Sequence, residues 1–234
     1  MGNKHQYETF YKMSPWLYDR AYIFKNRMLT VIYKVKNRKY IIKPSVDSEY
    51  TNEFEHIIKN VGEFNPNTST GISPSAAAYL YSLVRELKPE IFLETGVSHG
   101  LSSLIILEAM EKNSKGMLFS AEISNDVGDL IPLRLRKRWQ LIVDAPDKVL
   151  EKAIKTIKRD QIDMFMHDSD HSYVSMTNEF NAIKSHMSIN GLVLSDDIEE
   201  NNAFMDFALS VNVEPKIIAS YKCFGIIQLS KYKN

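Results

Sequence analysis

The sequence predicts an α/β fold in which a mainly parallel sheet of seven strands is flanked by helices. Short apolar segments alternate with helical segments through the C-terminal two thirds of the chain, a pattern typical of βαβ units. Polar residues follow most of these strands, as expected at the ligand-binding edge of an open parallel sheet. Apolar residues make up 44% of the 234 residues, enough for a substantial core.

The first predicted element is an amphipathic helix in an N-terminal extension. Ser14-Pro15 fits a helix cap followed by the first helical residue. Apolar residues then recur at helical spacing: Leu17, Ala21, Phe24, Met28, Val31 and Val35. The other face is basic, and residues 1–45 contain ten Lys or Arg against two acids. Such a charge asymmetry suggests that the extension docks on the more acidic remainder of the chain, on a second subunit or on an external anionic surface.

A loop is predicted between this helix and the main domain. Turn-forming residues at 44–73 surround a short helix predicted at 50–60. We place a boundary here, so that residues 1–73 form the extension and residues 74–234 the main domain. We expect the basic helix and the loop at 62–73 to form a lid over the carboxyl ends of the strands.

Strands and helices are then predicted in alternation. Ser73-Pro74 opens a helix that runs through Leu87. The strands are predicted at residues 91–93, 117–119, 141–143, 162–166, 192–194, 215–220 and 223–229. The intervening helices are predicted from 101, near 128–138, from 147, from 173 and near 201–209. We therefore predict a doubly wound, Rossmann-like sheet with an antiparallel last strand.

Composition and signals limit the class of protein. The single cysteine, Cys223, cannot form an internal disulfide, which fits a reducing compartment. No run of eighteen apolar residues and no secretory signal is present, so we expect a soluble, cytoplasmic protein without a transmembrane segment. We expect no nucleic-acid partner. The amphipathic extension favours a homodimer, and peripheral contact with an anionic surface stays open.

A glycine turn and an acid suggest a nucleotide-like ligand. The first strand leads into a turn with Gly96 and Gly100 that enters a helix, whose free N–H groups can bind an anion. Glu122 follows the second strand, 22 residues after Gly100, where dinucleotide-binding folds place an acid on ribose hydroxyls. An exposed loop acid is the alternative for Glu122.

Acids and imidazoles gather after the fourth and fifth strands. Asp168, Asp170 and His171 follow one strand, and Asp196 with Asp197 follows the next. Like charges at neighbouring strand ends repel one another, and a divalent cation with oxygen ligands would resolve that conflict. The alternative is that these acids cap helices.

A serine hydrolase is a competing hypothesis. Gly96-Val97-Ser98-His99-Gly100 fits the G-x-S-x-G pattern of a nucleophile elbow, and Asp168 with His171 or His186 follows in a suitable order. That fold places its elbow after several strands, whereas the chain before residue 91 is predicted as helix and loop. A hydrolase also gives no role to Glu122 or to the Asp196-Asp197 pair.

Four motifs in order resemble the class I S-adenosylmethionine-dependent methyltransferases, in particular the metal-dependent O-methyltransferase branch that includes catechol and antibiotic-sugar enzymes. The motifs span residues 91–96, 119–122, 164–173 and 191–197. The resemblance covers roughly residues 74–230 and implies S-adenosylmethionine as cofactor and a small molecule or sugar with a hydroxyl group as acceptor.

The resemblance also implies roles for individual residues. The cofactor-binding set is Glu94, Gly96, Ser98, Gly100, Ser102, Glu122, Asp144, Ala145 and Asp168. Asp168, Asp196 and Asp197 fall on positions that bind Mg²⁺ in similar enzymes, and Asp170 and His171 are both candidates for the base. A cofactor-binding protein that lacks catalysis and acts as a partner is a further alternative.

Overall fold

One sheet of eight strands runs through the residues that the computed structural model describes, namely 27–60, 71–158 and 161–230. The strands are β1 (Ile41–Ile42), β2 (Ile91–Thr95), β3 (Met117–Glu122), β4 (Trp139–Val143), β5 (Ile162–His167), β6 (Met187–Ser195), β7 (Lys216–Ala219) and β8 (Cys223–Gln228). Their order is β1-β7-β8-β6-β5-β2-β3-β4. Strand β8 is antiparallel to both neighbours and the other pairs are parallel, which confirms the predicted sheet type and its antiparallel last strand.

The predicted number of seven strands is wrong by one. Strand β1 pairs in parallel with β7, Ile41 opposite Ile217 and Ile42 opposite Ile218. Two residues are too few to show the alternation that identifies a strand in sequence. The partner strand lies more than 170 residues away, so only the tertiary structure reveals this edge of the sheet, to which the N-terminal extension contributes.

Helices cover both faces of the sheet. They are α1 (residues 27–36 of the described chain), α2 (Ser48–Asn60), α3 (Pro74–Leu87), α4 (Leu101–Lys112), α5 (Val149–Thr156), α6 (Tyr173–Lys184) and α7 (Ala203–Ser210). Successive strand residues point to opposite faces, so Phe92 packs in the core with α2, α3 and α4, whereas Leu93 packs in the core with α5, α6 and α7. The predicted cap of α3 is confirmed, because Ser73 Oγ accepts a hydrogen bond from Ala76 N.

The helical stretch predicted near 128–138 is only partly correct. A 3₁₀ helix occupies Leu133–Arg138, and the residues before it form a turn. Gly128 has a φ of 72°, and an added Cβ would lie 2.7 Å from the Trp139 ring, so this position is incompatible with a regular helix.

Helix α1 contacts the body through a different face from the one its apolar spacing predicts. Thr30, Tyr33 and Asn37 are buried, whereas the apolar stripe Met28, Val31, Ile32 and Val35 is exposed. The predicted helix start at Ser14-Pro15 and most of the loop at 62–73 lie outside the described residues. The homodimer stays a prediction. No helix in the described ranges is both long and apolar enough to cross a membrane.

Candidate active site

The carboxyl ends of four strands meet in register at one edge of the sheet. Thr95 lies opposite His167, and His167 lies opposite Ser195. The ladder continues one residue further, since Asp168 N donates to Thr95 O at 2.9 Å and Asp196 N donates to His167 O at 3.1 Å. The acids that follow these strands are therefore brought together, as the sequence predicts for parallel strands.

The turn after β2 fits only glycine at its first position. Gly96 has a φ of 82°, and a Cβ there would lie 2.1 Å from Asp168 O. Gly96 N donates to Ala121 O on the other side, so the turn is held between β3 and the loop after β5. Ser98 is exposed with a φ of 50°, and Gly100 precedes α4 with a φ of 86°. The turn thus places backbone against both neighbouring loops.

The start of helix α4 opens toward the same turn. No side chain caps its N-terminus, so the first N–H groups after Gly100 are available to an anionic group. Ser102 lies at this position and lines the cavity. Glu122 accepts hydrogen bonds from Val97 N at 2.8 Å and Ile123 N at 2.7 Å, which fixes the turn against the end of β3.

Glu94 lies beneath the turn rather than in the cavity. Its side chain is buried, and Oε1 accepts hydrogen bonds from Ser103 Oγ at 2.5 Å and Ser120 Oγ at 2.6 Å. Burial raises the pKa of Glu94 to about 7, against the opposing effect of these two hydroxyl groups. The structure therefore gives Glu94 a supporting position below the predicted cofactor turn.

This raised pKa makes the stability of the unliganded protein depend on pH. Between the ordinary value of 4.5 and about 7, the unfolded chain loses the Glu94 proton while the folded chain keeps it, so rising pH favours unfolding. The stability that Glu94 contributes below pH 4.5 is lost by pH 8, to an extent of at most about 3 kcal/mol. Glu94→Gln removes this titration.

We expect the free energy of unfolding of Glu94→Gln, relative to wild type, to be higher at pH 8 than at pH 5. Urea denaturation at the two pH values measures the free energy of unfolding of each protein. Because the change with pH is taken within each protein, any effect of the amide on stability that does not depend on pH cancels. Parallel changes in the two proteins would contradict the assignment.

The acids after β5 and β6 surround a lysine that sequence reasoning missed. Lys222 Nζ lies 2.5 Å from Asp196 Oδ2 and 3.1 Å from Asp197 Oδ2. The contact with Asp196 is an ion pair rather than an aligned hydrogen bond, and neither Asp196 carboxylate oxygen has a hydrogen-bond partner among the described residues. Lys222 comes from the turn between β7 and β8, and no local pattern links it to residues 196 and 197.

Charge and burial oppose each other in this cluster. Burial raises the pKa of Asp168 and of Asp196, and the neighbouring carboxylates add to it, while Lys222 lowers both. Burial alone would lower the pKa of Lys222, but Asp196 and Asp197 outweigh it and raise that pKa, so the side chain stays an ammonium.

The two candidate bases differ in their surroundings. His171 Nε2 lies 3.8 Å from Asp168 Oδ1 and 3.6 Å from Asp197 Oδ2, and His171 lines the cavity. Burial lowers the pKa of His171, which favours the neutral imidazole. Asp170 is exposed and accepts hydrogen bonds from Ser172 N and Ser172 Oγ. The cap of helix α6 is Ser172, whose Oγ accepts a hydrogen bond from Ser175 N, and Asp170 binds this capping residue instead of capping the helix itself.

Glu179, which the sequence did not single out, joins three elements at the wall of the cavity. It accepts hydrogen bonds from Thr95 Oγ1 at 2.6 Å and Ser169 Oγ at 2.7 Å, and its Oε2 lies 2.7 Å from His167 Nδ1. Burial alone would raise the pKa of Glu179, but the contacts with His167, Thr95 and Ser169 lower it. An acid in a helix with no neighbouring motif gives no sequence signal for this role.

A cavity of about 860 Å³ lies at the carboxyl ends of these strands. Its walls include the glycine turn, Glu122, Asp168, Asp170, His171, Asp197 and Lys222. Asp144 and Ala145 are not among its lining residues: Asp144 accepts from Ala145 N and pairs with Lys152, while Pro146 and Val149 line the wall nearby. Within the described ranges, no three or more His, Cys, Asp or Glu side chains are arranged to hold a metal ion.

The surroundings of Ser98 differ from those of a hydrolase nucleophile. No histidine of the described residues is hydrogen-bonded to Ser98, since His99 Nδ1 contacts Asp129 and His171 contacts the acid cluster. His167 Nδ1 contacts Glu179 instead. The nucleophile and base that such a mechanism requires are not paired.

Comparison with known proteins gives a family for part of the chain. Residues 93–198 match a family model described as a methyltransferase domain. The fold is similar to that of an O-methyltransferase from Bacillus cereus solved with S-adenosylhomocysteine, at 14% identity and a TM-score of 0.57, covering 76% of this chain and 91% of that one. No curated protein matches the chain by sequence.

Two further solved structures have the same fold. An O-methyltransferase of tomaymycin synthesis from Streptomyces achromogenes, solved with S-adenosylmethionine, is 14% identical with a TM-score of 0.56, and the match covers 87% of this chain and 96% of that one. A Podospora anserina methyltransferase bound to S-adenosylhomocysteine is 16% identical with a TM-score of 0.53, and the match covers 94% and 97%. At these identities the likeness shows the fold.

Proposed function

We propose, from the match of residues 93–198 to a methyltransferase domain, that this chain transfers the methyl group of S-adenosylmethionine to a hydroxyl oxygen of a small molecule or sugar. The observation that carries the proposal is the meeting of the glycine turn, Glu122 and the acid cluster around one cavity. Solved neighbours of this fold hold S-adenosylmethionine or its product, which supports the same cofactor here.

The cofactor's ends match the two sides of the cavity. Its carboxylate would meet the uncapped start of α4 beside Ser102, with Gly96, Ser98 and Gly100 along the methionine portion. Glu122 would accept hydrogen bonds from the ribose hydroxyls, since a carboxylate oxygen accepts more than one. For the adenine, the cavity wall favours Pro146 and Val149 over the predicted Asp144 and Ala145.

The reaction needs alignment and a proton acceptor. When bound, S-adenosylmethionine would supply a methyl group whose bond to sulfur breaks with the electron pair left on sulfur, and the acceptor oxygen would form the new bond and lose its proton. We assign that proton to His171, since it lines the cavity beside Asp168 and Asp197 and burial lowers its pKa, which favours the neutral imidazole that can accept a proton. Asp170 is disfavoured because it is exposed and its carboxylate is held against Ser172 of its own loop.

The predicted Mg²⁺ does not fit the residues present. Asp168, Asp196 and Asp197 are near one another, but the Lys222 ammonium lies at contact distance from two of them. A cation and an ammonium at the same carboxylate oxygens repel each other. No step of the reaction is assigned to a metal.

We expect S-adenosylmethionine and S-adenosylhomocysteine to raise the melting temperature, and NAD to leave it unchanged. At a ligand concentration 100 times the dissociation constant, binding contributes about 2.7 kcal/mol. For a chain of this size that corresponds to a rise of roughly 5–10 °C. Thermal denaturation with each ligand measures it.

A turnover assay then distinguishes an active methyltransferase from a cofactor-binding protein without catalysis. Release of S-adenosylhomocysteine with a panel of hydroxylated acceptors supports the enzyme, whereas cofactor binding without turnover on any acceptor favours the non-catalytic partner. A rise with NAD alone, or labelling of Ser98 by a phosphonate, would contradict the proposal.

A further inference from the structure

We propose that the Lys222 ammonium takes the place of a divalent cation among Asp168, Asp196 and Asp197, so that this chain transfers methyl groups without a bound metal. This role of Lys222 presupposes the methyl transfer proposed above. The lysine supplies the positive charge that the three carboxylates require and directs it into the cavity.

The position of the ammonium excludes a cation from the same oxygens. Lys222 Nζ lies 2.5 Å from Asp196 Oδ2 and 3.1 Å from Asp197 Oδ2. A Mg²⁺ ion binds carboxylate oxygens at about 2.1 Å and requires six oxygen ligands in octahedral geometry. An ion at that distance from Asp196 Oδ2 would lie within about 4.6 Å of Nζ, so the two positive charges would repel each other unless the ammonium moved away.

The backbone around Lys222 is anchored on both sides, which keeps the ammonium in place. Cys223 N donates to Glu199 Oε2 at 2.9 Å, and Ser220 N donates to Lys222 O at 2.9 Å. Thr30 Oγ1 of helix α1 lies 2.9 Å from Glu199 Oε1 and 3.2 Å from Tyr221 O.

Helix α1 makes a second contact with this turn. Lys34 Nζ contacts Ser220 O, the residue that opens the turn before Lys222. The N-terminal extension therefore buttresses the segment that carries the ammonium.

An ammonium also binds the hydroxyl of the methyl acceptor differently from a metal ion, because it donates a hydrogen bond. It has three N–H donors, of which one is donated to Asp197 Oδ2, while Asp196 lies beside the ammonium as an ion pair. Lys222 also lines the cavity, so a remaining N–H can be donated to the acceptor oxygen. Lys222 would orient the hydroxyl oxygen by one hydrogen bond, while His171 takes the proton.

The test measures Mn²⁺ binding directly, by the electron paramagnetic resonance signal of free Mn²⁺, in wild type, Lys222→Ala and the control Lys216→Ala. Lys216 is an exposed residue of the preceding strand. We expect wild type and Lys216→Ala to bind no Mn²⁺ specifically. Lys222→Ala should bind it at least roughly tenfold more tightly, because a like charge has left contact distance.

A second measurement keeps the test decisive if Lys222→Ala does not fold. Turnover of wild type with S-adenosylmethionine should be unchanged by EDTA and by added Mg²⁺. Where Lys222→Ala folds, its turnover should fall, and Mg²⁺ should restore part of it while EDTA removes that part.

Three results would overturn the assignment: stoichiometric Mn²⁺ binding by wild type, loss of wild-type turnover in EDTA with recovery in Mg²⁺, or a folded Lys222→Ala that binds Mn²⁺ no better than wild type. Failure of the methyl transfer itself is distinguishable, because it would appear as absent cofactor binding or turnover and leaves the Mn²⁺ comparison intact.

Discussion

Gly96→Ala is expected to lower the affinity for S-adenosylmethionine on the order of 100-fold, about 2.7 kcal/mol. The new Cβ would lie 2.1 Å from Asp168 O and 2.7 Å from Asp168 C, both backbone atoms that a rotamer change cannot move. The turn and the loop after β5 must separate, and both segments line the cavity. Titration calorimetry on the folded variant measures the loss.

The same substitution should destabilise the fold by about 2–5 kcal/mol, from the left-handed backbone and the overpacking together. A matched control separates this effect from the loss of binding. Gly116 also has a positive φ, and a Cβ there would lie 2.5 Å from Pro89 O, in the turn before β3 at the other edge of the sheet.

Gly116→Ala should therefore lose stability to a similar extent, while its folded fraction binds S-adenosylmethionine as wild type does. Equal loss of binding in both variants would mean that the lower affinity follows from general destabilisation of the fold and not from the turn after β2. Normal binding by Gly96→Ala would remove the turn from the cofactor site.

Glu179→Ala is expected to cost about 3–5 kcal/mol of stability, because a largely buried acceptor of three groups is removed without replacement. Thr95, His167 and Ser169 would each lose their partner at the junction of β2, β5 and the following loop. The melting temperature should fall by roughly 6–20 °C. Thermal and urea denaturation measure this change.

Two variants calibrate the result. Glu179→Gln keeps one acceptor oxygen and should fall between wild type and Glu179→Ala. Glu55→Ala removes an exposed acid from α2 and should change stability by less than about 0.5 kcal/mol. If Glu179→Ala remains within about 1 kcal/mol of wild type, water replaces the carboxylate and the junction does not depend on it.

Local patterns predicted most of the sheet because the responsible forces act over a few residues. The apolar segments of β2 and β5 and the cap at Ser73 each reflect periodicity or hydrogen bonding within one element. Element bounds shifted at several ends, and the stretch at 128–138 was over-predicted because Gly128 requires a turn.

The site was predictable as far as topology alone brings residues together. Parallel strands in register place Asp168 and Asp196 side by side, so their sequence positions after β5 and β6 were sufficient. The cofactor residues are less uniform: Glu122 and Ser102 line the cavity, whereas Glu94 lies below it. Which residue of a polar motif points inward depends on side-chain packing, which the motif does not record.

By itself, the sequence determined the α/β class, the glycine turn and the edge of the sheet at which the acids converge, since each follows from local periodicity and strand order. Only the tertiary structure decided what occupies that edge. Lys222 reaches Asp196 and Asp197 from the antiparallel hairpin of β7 and β8. Thr30 hydrogen-bonds to Tyr221 of the same hairpin across 191 residues of sequence, and β1 forms the edge of the sheet beside β7. Contacts between such distant segments depend on packing geometry, which leaves no periodic signal in the chain.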